Sequence, residues 1–170
     1  MKKALLVVDW EKEWTNPKSE YFVGDLVSAT KKLNKLIEFC RAKNYKIIFI
    51  KHIEKNSRDV FAKNSDRVQF IENINIQKSD TIITKYKISP FFKTNLDVVL
   101  RGIKEVVVAG ILTNLCVRST VQDAYDRDFK VMVIQDCCVS FDKYTHRFTI
   151  EDLKTTREEI NFLNLNQFIV

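Results

Sequence analysis

Three side chains that can do chemistry each lie at or shortly beyond the end of an apolar run in the sequence. Asp9 follows the run at 4–8, Lys85 follows the run at 81–84, and Cys116 comes shortly after the run at 104–109. If these runs are parallel strands, their carboxyl ends meet at one edge of a sheet, where ligands bind in open α/β folds. The sequence therefore predicts that an acid, a cation and a thiol converge, a combination suited to nucleophilic catalysis.

The stretch at 106–124 (VVVAGILTNLCVRSTVQDA) predicts how the thiol is presented. Its valine-rich start is typical of a strand that is buried on both faces. Thr113 and Asn114 are candidate N-cap residues, and apolar or small residues recur at helical spacing after Cys116. Cys116 is therefore predicted in the first turn of a helix. There the positive end of the helix dipole and Lys85 should lower the pKa of the thiol.

Each of the three residues has its own role in the predicted chemistry. A free thiol has a pKa of about 8.5, and a cation such as Lys85 favours the nucleophilic thiolate. Asp9 can take the thiol proton, deliver it to a leaving amine and then activate water. Taken singly, Cys116 is more often a small core residue, Asp9 a turn cap and Lys85 a surface lysine. The joint pattern favours a catalytic triad.

Strands alternate with helices along the chain, which predicts a three-layer α/β/α fold with a mostly parallel, roughly six-stranded, Rossmann-like sheet. The polar segment at 54–75 is hard to assign, and a short helix is expected around 67–71. Strands are predicted at 4–8, 46–50, 81–84, 104–109, 130–134 and, at the sheet edge, 168–170, and helices at 26–40, 94–100, 113–127 and 144–160.

Length and composition favour a soluble protein of one domain. The 170 residues suit a single domain at 1–170, and no stretch approaches the roughly 20 apolar residues of a membrane span. The formal charge of +6 comes from basic residues scattered among apolar ones, so neither a nucleic-acid partner nor a membrane is expected. Four cysteines without disulfide or metal-ligand spacing, together with the lack of an export signal, favour the cytoplasm.

Three motifs of the chain resemble those of the isochorismatase-like cysteine hydrolases, a family that includes nicotinamidases and carbamoyl-amine amidohydrolases. They are VVDW with Asp9, ITKYKISPFFKTNL with Lys85 and AGILTNLCV with Cys116. The resemblance implies one isochorismatase-like hydrolase domain with an Asp-Lys-Cys triad. It also implies an oxyanion hole formed by the backbone N–H groups of Leu112 and Cys116, a cis peptide between Ile111 and Leu112, and a homodimer or larger homo-oligomer.

The chain departs from the nicotinamidase pattern after the second predicted strand. Nicotinamidases carry an Asp-x-His and further histidines there, which bind a metal beside the substrate. This chain has KHIE at 51–54, and the one other histidine is His146. No metal site of that kind and no cofactor are therefore expected. Trp10, Trp14 and Phe91 are candidate substrate-binding rings.

The sequence thus predicts a cysteine hydrolase that cleaves a carbonyl–nitrogen bond of a small amide or carbamoyl substrate through a thioester intermediate. The alternative is a catalytically silent, oligomeric binding protein on the same fold, which would show no turnover that depends on Cys116. A thiol redox protein ranks below both, because the chain has no Cys-x-x-Cys pair. The identity of the amide or carbamoyl substrate is left open.

Overall fold

Apolar runs of the chain form the six strands of one sheet in the computed structural model, which describes residues 2–170. Residues 4–8 of the first strand are fully buried, as expected of a parallel sheet covered on both faces. The strands are β1 (Lys2–Val8), β2 (Lys46–His52), β3 (Thr81–Lys85), β4 (Ile103–Ile111), β5 (Lys130–Val139) and β6 (Asn161–Leu163).

Five helices are present in the described part of the chain. They are α1 (Val27–Ala42), α2 (Leu96–Val99), α3 (Arg118–Tyr125), α4 (Lys143–Thr156) and α5 (Leu165–Phe168). The Asp142 carboxylate caps α4 by accepting a hydrogen bond from the Thr145 N–H at 2.8 Å. Within residues 2–170, every helix is too short or too polar to cross a membrane.

The strand order is β3-β2-β1-β4-β5-β6, and all pairings are parallel. This order confirms the predicted parallel α/β sheet. The direction of winding reverses between β1 and β4, and such a switch point opens a crevice at the carboxyl ends of the strands. The register aligns these ends, because Val8 pairs with both Ile50 and Gly110, and His52 pairs with Lys85.

The predicted helix at 113–127 is two elements in the structure. Residues Thr113–Val117 form a π-helical turn, and α3 continues from it. The Leu112 carbonyl oxygen accepts hydrogen bonds from the N–H groups of both Leu115 and Val117, each at 3.1 Å. Cys116 therefore lies in a wide turn directly after β4, a kind of turn that is frequent at functional sites.

The carboxyl-terminal part of the chain also differs from the prediction. The edge strand is β6, and the strand predicted at 168–170 is wrong, because Phe168 is the last residue of α5 and residues 169–170 form no strand. A capping box fixes the start of α5, with the Asn164 N–H donating to Gln167 Oε1 at 2.8 Å. Leu165, the first residue of α5, is buried. The cap and this buried contact together favour the helical turn over a strand.

Strand β5 is longer than predicted and runs through Asp136 to Val139. Its pairing with β4 shifts along the way, since Val108 pairs with Val133 but Gly110 pairs with Cys138. At this shift β5 has more residues than β4, and the unpaired residues of β5 allow the strand to bend. The bend brings the end of β5 beside the turn that carries Cys116, where the Ser140 hydroxyl donates to Asn114 Oδ1 at 2.8 Å.

The segment between β2 and β3 folds back against the end of β1. The helix predicted around 67–71 is a single 3-10 turn at Asp66–Val68. The Ile71 N–H donates to the Trp10 carbonyl oxygen at 3.0 Å. The Phe61 ring packs against Trp14, with ring centroids 5.0 Å apart. This segment therefore covers the residues that follow β1.

Gly110 allows β4 to lie close to β1 at the switch point. Its φ is 144°, and a Cβ at this position would lie 2.2 Å from the Val8 carbonyl oxygen. We expect Gly110→Ala to lower the free energy of unfolding by about 3 kcal/mol or more, or to prevent folding, because backbone strain and the clash add. Urea denaturation followed by circular dichroism measures this loss.

Gly102→Ala is the matched control for that substitution. Gly102 also has a positive φ, 78°, but nothing lies within 4 Å of the added Cβ. Only the backbone strain of the positive φ then remains, so the free energy of unfolding should fall by about 1 kcal/mol. Equal losses in the two variants would contradict the role assigned to Gly110.

Candidate active site

Asp9 is the first residue beyond β1, and it is fully buried. Its backbone leaves the strand with a φ of 50°, a conformation that is uncommon for residues other than glycine. Two hydrogen bonds hold this turn. The Asp9 N–H donates to the Ile50 carbonyl oxygen at 3.1 Å, and the Trp14 indole N–H donates to the Asp9 carbonyl oxygen at 2.7 Å. The turn brings the carboxylate next to the end of β3.

Lys85 is the last residue of β3, and its fully buried ammonium group is the centre of the site. Nζ lies 2.9 Å from Asp9 Oδ2 and 3.2 Å from Cys116 Sγ. It also donates to the Lys87 carbonyl oxygen at 3.1 Å and lies 3.3 Å from His52 Nδ1. The structure therefore brings together the three residues predicted from the strand ends, with the ammonium group between the acid and the thiol.

Cys116 is partly exposed, whereas the other three cysteines of the chain are buried. Side-chain hydrogen bonds hold its π-helical turn against neighbouring elements. Thr113 Oγ1 lies 2.8 Å from His146 Nδ1 of α4, and Asn114 is held by the hydroxyl group that follows β5. The thiol is thus fixed at the mouth of the crevice, while the acid and the cation lie behind it.

The backbone that precedes the thiol contains a cis peptide bond between Ile111 and Leu112. Leu112 is buried, and its carbonyl oxygen is occupied by the hydrogen bonds of the π-helical turn. The assignment of the Leu112 and Cys116 N–H groups to an oxyanion hole stays a prediction.

The electrostatics of the thiol differ from what the sequence predicts. Burial, and then the negative charge of Asp9, raise the pKa of Cys116, and the Lys85 charge offsets them only in part. The expected lowering of the Cys116 pKa is therefore wrong for the protein without a substrate. Burial lowers the pKa of Lys85, but Asp9 and Cys116 outweigh it, so that the pKa of Lys85 is raised. The resting site thus holds a neutral thiol beside a charged ammonium group.

The arrangement can activate the thiol during attack rather than beforehand. Asp9 Oδ1 is buried and has no hydrogen-bond partner within residues 2–170, so one carboxylate oxygen is free to accept a proton. The Lys85 ammonium group is placed to stabilise negative charge as it develops on sulfur. A proton acceptor and a cation therefore both lie where a departing thiol proton needs them.

Two further acids beside the site, Glu11 and Glu13, are buried and were not predicted. Glu13 Oε2 accepts a hydrogen bond from the Phe61 N–H at 3.4 Å, and Glu13 Oε1 lies 3.7 Å from Arg67 Nη1. Neither carboxyl oxygen of Glu11 has a hydrogen-bond partner in the described chain. The sequence signal that could have revealed them is the alternation of acids at positions 9, 11 and 13. Spacing alone does not predict burial, because acidic side chains are rarely buried.

The three rings predicted to contact substrate are all buried. Trp10 Nε1 donates to Thr30 Oγ1 of α1 at 3.0 Å, and Trp14 holds the strained turn after β1. The Arg127 guanidinium carbon lies 4.3 Å from the centroid of the Phe91 ring. These rings pack together the elements that carry the site. Their contact with a substrate stays a prediction.

Metal-binding donors do not gather at this site. His52 Nδ1 faces the Lys85 ammonium group, and His52 Nε2 lies 3.1 Å from Glu54 Oε1. His146 is engaged with the π-helical turn. Across residues 2–170 no three His, Cys, Asp or Glu side chains are grouped so that they can hold a metal ion.

Substitution of Asp9 by Asn separates the two charges that act on the thiol, because it removes the anion and keeps the Lys85 cation. Without the anion the pKa of Cys116 should fall. We expect iodoacetamide to alkylate Cys116 about tenfold faster at neutral pH in Asp9→Asn than in the wild type. Mass spectrometry of timed reactions, with peptide mapping to locate the label, measures the rate.

Glu105→Gln is the control for that experiment. Glu105 is also a buried acid, but it lies near the start of β4 and forms an ion pair with Lys3 at 2.9 Å. Its loss should leave the Cys116 rate unchanged. Cys40 and Cys138, whose pKa burial raises to about 12, should label slowly in every variant. An unchanged or slower Cys116 rate in Asp9→Asn would show that Asp9 does not control the thiol.

Residues 3–160 match the family model of the isochorismatase domain. The chain is 27% identical over 165 residues to the uncharacterized isochorismatase family protein YddQ of Bacillus subtilis, an alignment that covers 95% of this chain and 88% of that protein. It is 27% identical to nicotinamidase 3 of Arabidopsis thaliana, over 88% of this chain and 79% of that protein. Ureidoacrylate amidohydrolase RutB of Agrobacterium fabrum is 34% identical over a shorter stretch, 45% of this chain and 35% of that protein.

Solved structures share the fold over nearly the whole chain. An isochorismatase-like hydrolase from Alkaliphilus metalliredigens superposes with a TM-score of 0.88 at 27% identity, covering 99% of this chain and 98% of that one. A pyrazinamidase of Pyrococcus horikoshii in complex with zinc has a TM-score of 0.84 at 22% identity, covering 96% of this chain and 99% of that one, which is likeness of fold alone. With the family match over residues 3–160, the chain belongs to the isochorismatase family of hydrolases.

Proposed function

We propose that this protein is a cysteine hydrolase that cleaves the carbonyl–nitrogen bond of a small amide or carbamoyl substrate. The observation that carries the proposal is the position of the Lys85 ammonium group, 2.9 Å from Asp9 Oδ2 and 3.2 Å from Cys116 Sγ, at the switch point of the sheet. An acid, a cation and a thiol in contact are the parts that acyl transfer through sulfur requires. Two relatives of the chain, a nicotinamidase and a ureidoacrylate amidohydrolase, support an amide-type substrate.

The first step forms the bond between sulfur and the substrate carbonyl carbon. The Cys116 proton passes to the free Asp9 oxygen, Oδ1, as the sulfur attacks, and the carbonyl oxygen becomes an oxyanion. In this proposal the N–H groups of Leu112 and Cys116 stabilise the oxyanion. Because the resting thiol has a raised pKa, proton transfer to Asp9 accompanies the attack.

The second step breaks the carbon–nitrogen bond, and the third regenerates the thiol. Asp9 returns its proton to the leaving nitrogen, so that ammonia or an amine departs and a thioester remains on Cys116. Asp9 then takes a proton from water, whose oxygen attacks the thioester carbon. The carbon–sulfur bond breaks, Cys116 recovers its proton from Asp9, and a carboxylic or carbamic acid leaves. Lys85 keeps its proton throughout, because its raised pKa favours the ammonium form.

The proposed reaction uses no metal ion. The pyrazinamidase with the same fold was solved with zinc, but the residues of this chain do not fit such a site. His52 offers Nδ1 only toward a buried ammonium group, and the positive charge of Lys85 repels a divalent cation. Every step above therefore relies on side-chain and backbone groups of this chain.

A screen of small amides and ureido compounds for ammonia release, with a chelator present, tests the proposal. Nicotinamide, pyrazinamide and ureidoacrylate are suitable first probes. We expect turnover of at least one probe, and a loss of about 1000-fold or more in Cys116→Ala, because the nucleophile is removed. Acid quenching followed by mass spectrometry should find the acyl group on Cys116 in the wild type.

Asp9→Asn and Glu105→Gln are matched variants for this screen. Asp9→Asn should lose turnover even though its thiol alkylates faster, whereas Glu105→Gln should retain it. Turnover that survives in Cys116→Ala would overturn the proposed nucleophile, and turnover lost to the chelator would overturn the metal-free chemistry. If no probe releases ammonia and a partner binds the exposed face of Tyr144 and Phe148, the result would favour the silent binding protein.

We also propose that the chain works as a homodimer or larger homo-oligomer. Tyr144 and Phe148 lie one turn apart on α4, their rings stack, and 72% and 59% of their surfaces are exposed. Phe141, just before α4, is also exposed. A second copy that covers this apolar face would remove it from water. The proposal rests on this exposure together with the family resemblance.

Sedimentation velocity at micromolar concentration tests the assembly. We expect a dimer or larger species for the wild type. Phe148→Lys should shift the distribution toward monomer, because a charge on a buried apolar contact weakens association. Phe92→Lys is the control, since that ring is also exposed but lies on a different segment. A monomeric wild type would rule the assembly out.

A further inference from the structure

Glu11 is a buried carboxyl group beside the triad to which the reaction above gives no role. It follows Asp9 by two residues, and its side chain has no exposed surface. Within residues 2–170 neither of its carboxyl oxygens has a partner in good hydrogen-bond geometry, although the His52 backbone lies close enough to favour the ionised form. Glu13, equally buried and two residues further on, has a backbone donor for one oxygen and a guanidinium group near the other. The two glutamates are therefore a natural pair for comparison.

The buried positive charge at the site is already engaged. Lys85 is the buried cation near Glu11, and its Nζ contacts Asp9 and Cys116. Lys51 of β2 lies partly exposed, with Nζ 3.4 Å from Gln69 Oε1 and 5.1 Å from the centroid of the Phe70 ring. An ionised Glu11 would thus be a second buried anion beside Asp9 without a cation in contact, which is a costly arrangement.

The remaining charged groups around Glu11 do not change this balance. The His52 ring is neutral at pH 7, because burial and then the Lys85 charge lower its pKa. Lys12, the next residue in the chain, directs its Nζ to Asp66 at 3.0 Å and Glu72 at 3.3 Å. The segment that pairs with Glu11 through Phe70 carries Arg67, whose Nη1 contacts Asp59 and lies 3.7 Å from Glu13 Oε1.

We propose that Glu11 is a neutral carboxylic acid in the working protein, and that it is a positioning residue which leaves the Lys85 cation to Asp9 and Cys116. When Glu11 ionises, its new negative charge competes for Lys85 and opposes formation of the thiolate. The protonation state of Glu11 does not depend on the proposed reaction. Its effect on Cys116 deepens that proposal.

The direction of the Glu11 pKa agrees with this geometry. Burial, and then the negative charge of Asp9, raise the pKa of Glu11 well above its ordinary value of 4.5, against the opposing effects of Lys85, the His52 backbone and Lys51. Below the raised pKa the group is neutral, and above it one negative charge is added beside the triad.

Infrared spectroscopy of the whole protein at neutral pH tests the protonation state without any substrate. A protonated carboxyl group absorbs at a frequency distinct from that of a carboxylate. We expect a protonated-carboxyl band in the wild type and in Glu13→Gln, and its loss in Glu11→Gln. Absence of the band from the wild type, or its persistence in Glu11→Gln, would overturn the proposal, and the wild-type spectrum decides even if a variant fails to fold.

The pH dependence of Cys116 alkylation by iodoacetamide tests the positioning role. At neutral pH Glu11→Gln should react at the wild-type rate, because both side chains are neutral there. As the pH rises through the raised pKa of Glu11, the variant should react progressively faster than the wild type, because only the wild type acquires the additional charge. For Glu13→Gln, the ratio of its alkylation rate to the wild-type rate should not change with pH.

The alkylation outcomes separate the two proposals. A Glu11→Gln rate already raised at neutral pH would show an ionised Glu11 and overturn the inference. If the ratio of the Glu11→Gln rate to the wild-type rate never changes with pH, the positioning role is overturned. Neither result depends on turnover, so a failed amide screen leaves both measurements intact, and a failed inference leaves the amide proposal standing.

Discussion

The ion pair between Lys85 and Asp9 is the interaction on which the site depends. Both side chains are fully buried, and a buried charge that loses its partner is strongly destabilising. The pair joins the ends of β1 and β3, which are separated by β2 in the sheet. It forms only when all three strands are in register, and the contact with Cys116 adds β4 to that requirement. The contacts of the Lys85 ammonium group therefore form only when the strands of the sheet are correctly paired.

Burial and the charges around that ammonium group together explain the state of the thiol. A helix terminus and a nearby lysine suggest a thiolate, yet burial and then the charge of Asp9 raise the Cys116 pKa, and Lys85 offsets them only in part. A resting thiol is less reactive toward oxidants than a thiolate is. A proton acceptor and a cation nevertheless both lie beside this neutral thiol.

The sequence was sufficient for the sheet and for the convergence of Asp9, Lys85 and Cys116, because strand ends in a parallel sheet share one edge. It was not sufficient for the sign of the Cys116 pKa, since burial of the thiol beside Asp9 depends on tertiary packing. Glu11 was missed for the same reason. The edge strand was misplaced because three apolar residues at the end of the chain resemble a strand, while the capping box that precedes them favours a helix.

Burial also determines which part of the site is accessible from outside. Asp9 and Lys85 have no exposed surface, whereas Cys116 is partly exposed, so an incoming molecule contacts Cys116 rather than Asp9 or Lys85. The long segment between β2 and β3 packs on the turn after β1 through Phe61 and Trp14. The contact among Asp9, Lys85 and Cys116 therefore depends on the ends of the strands, whereas the segments that connect the strands cover the residues after β1.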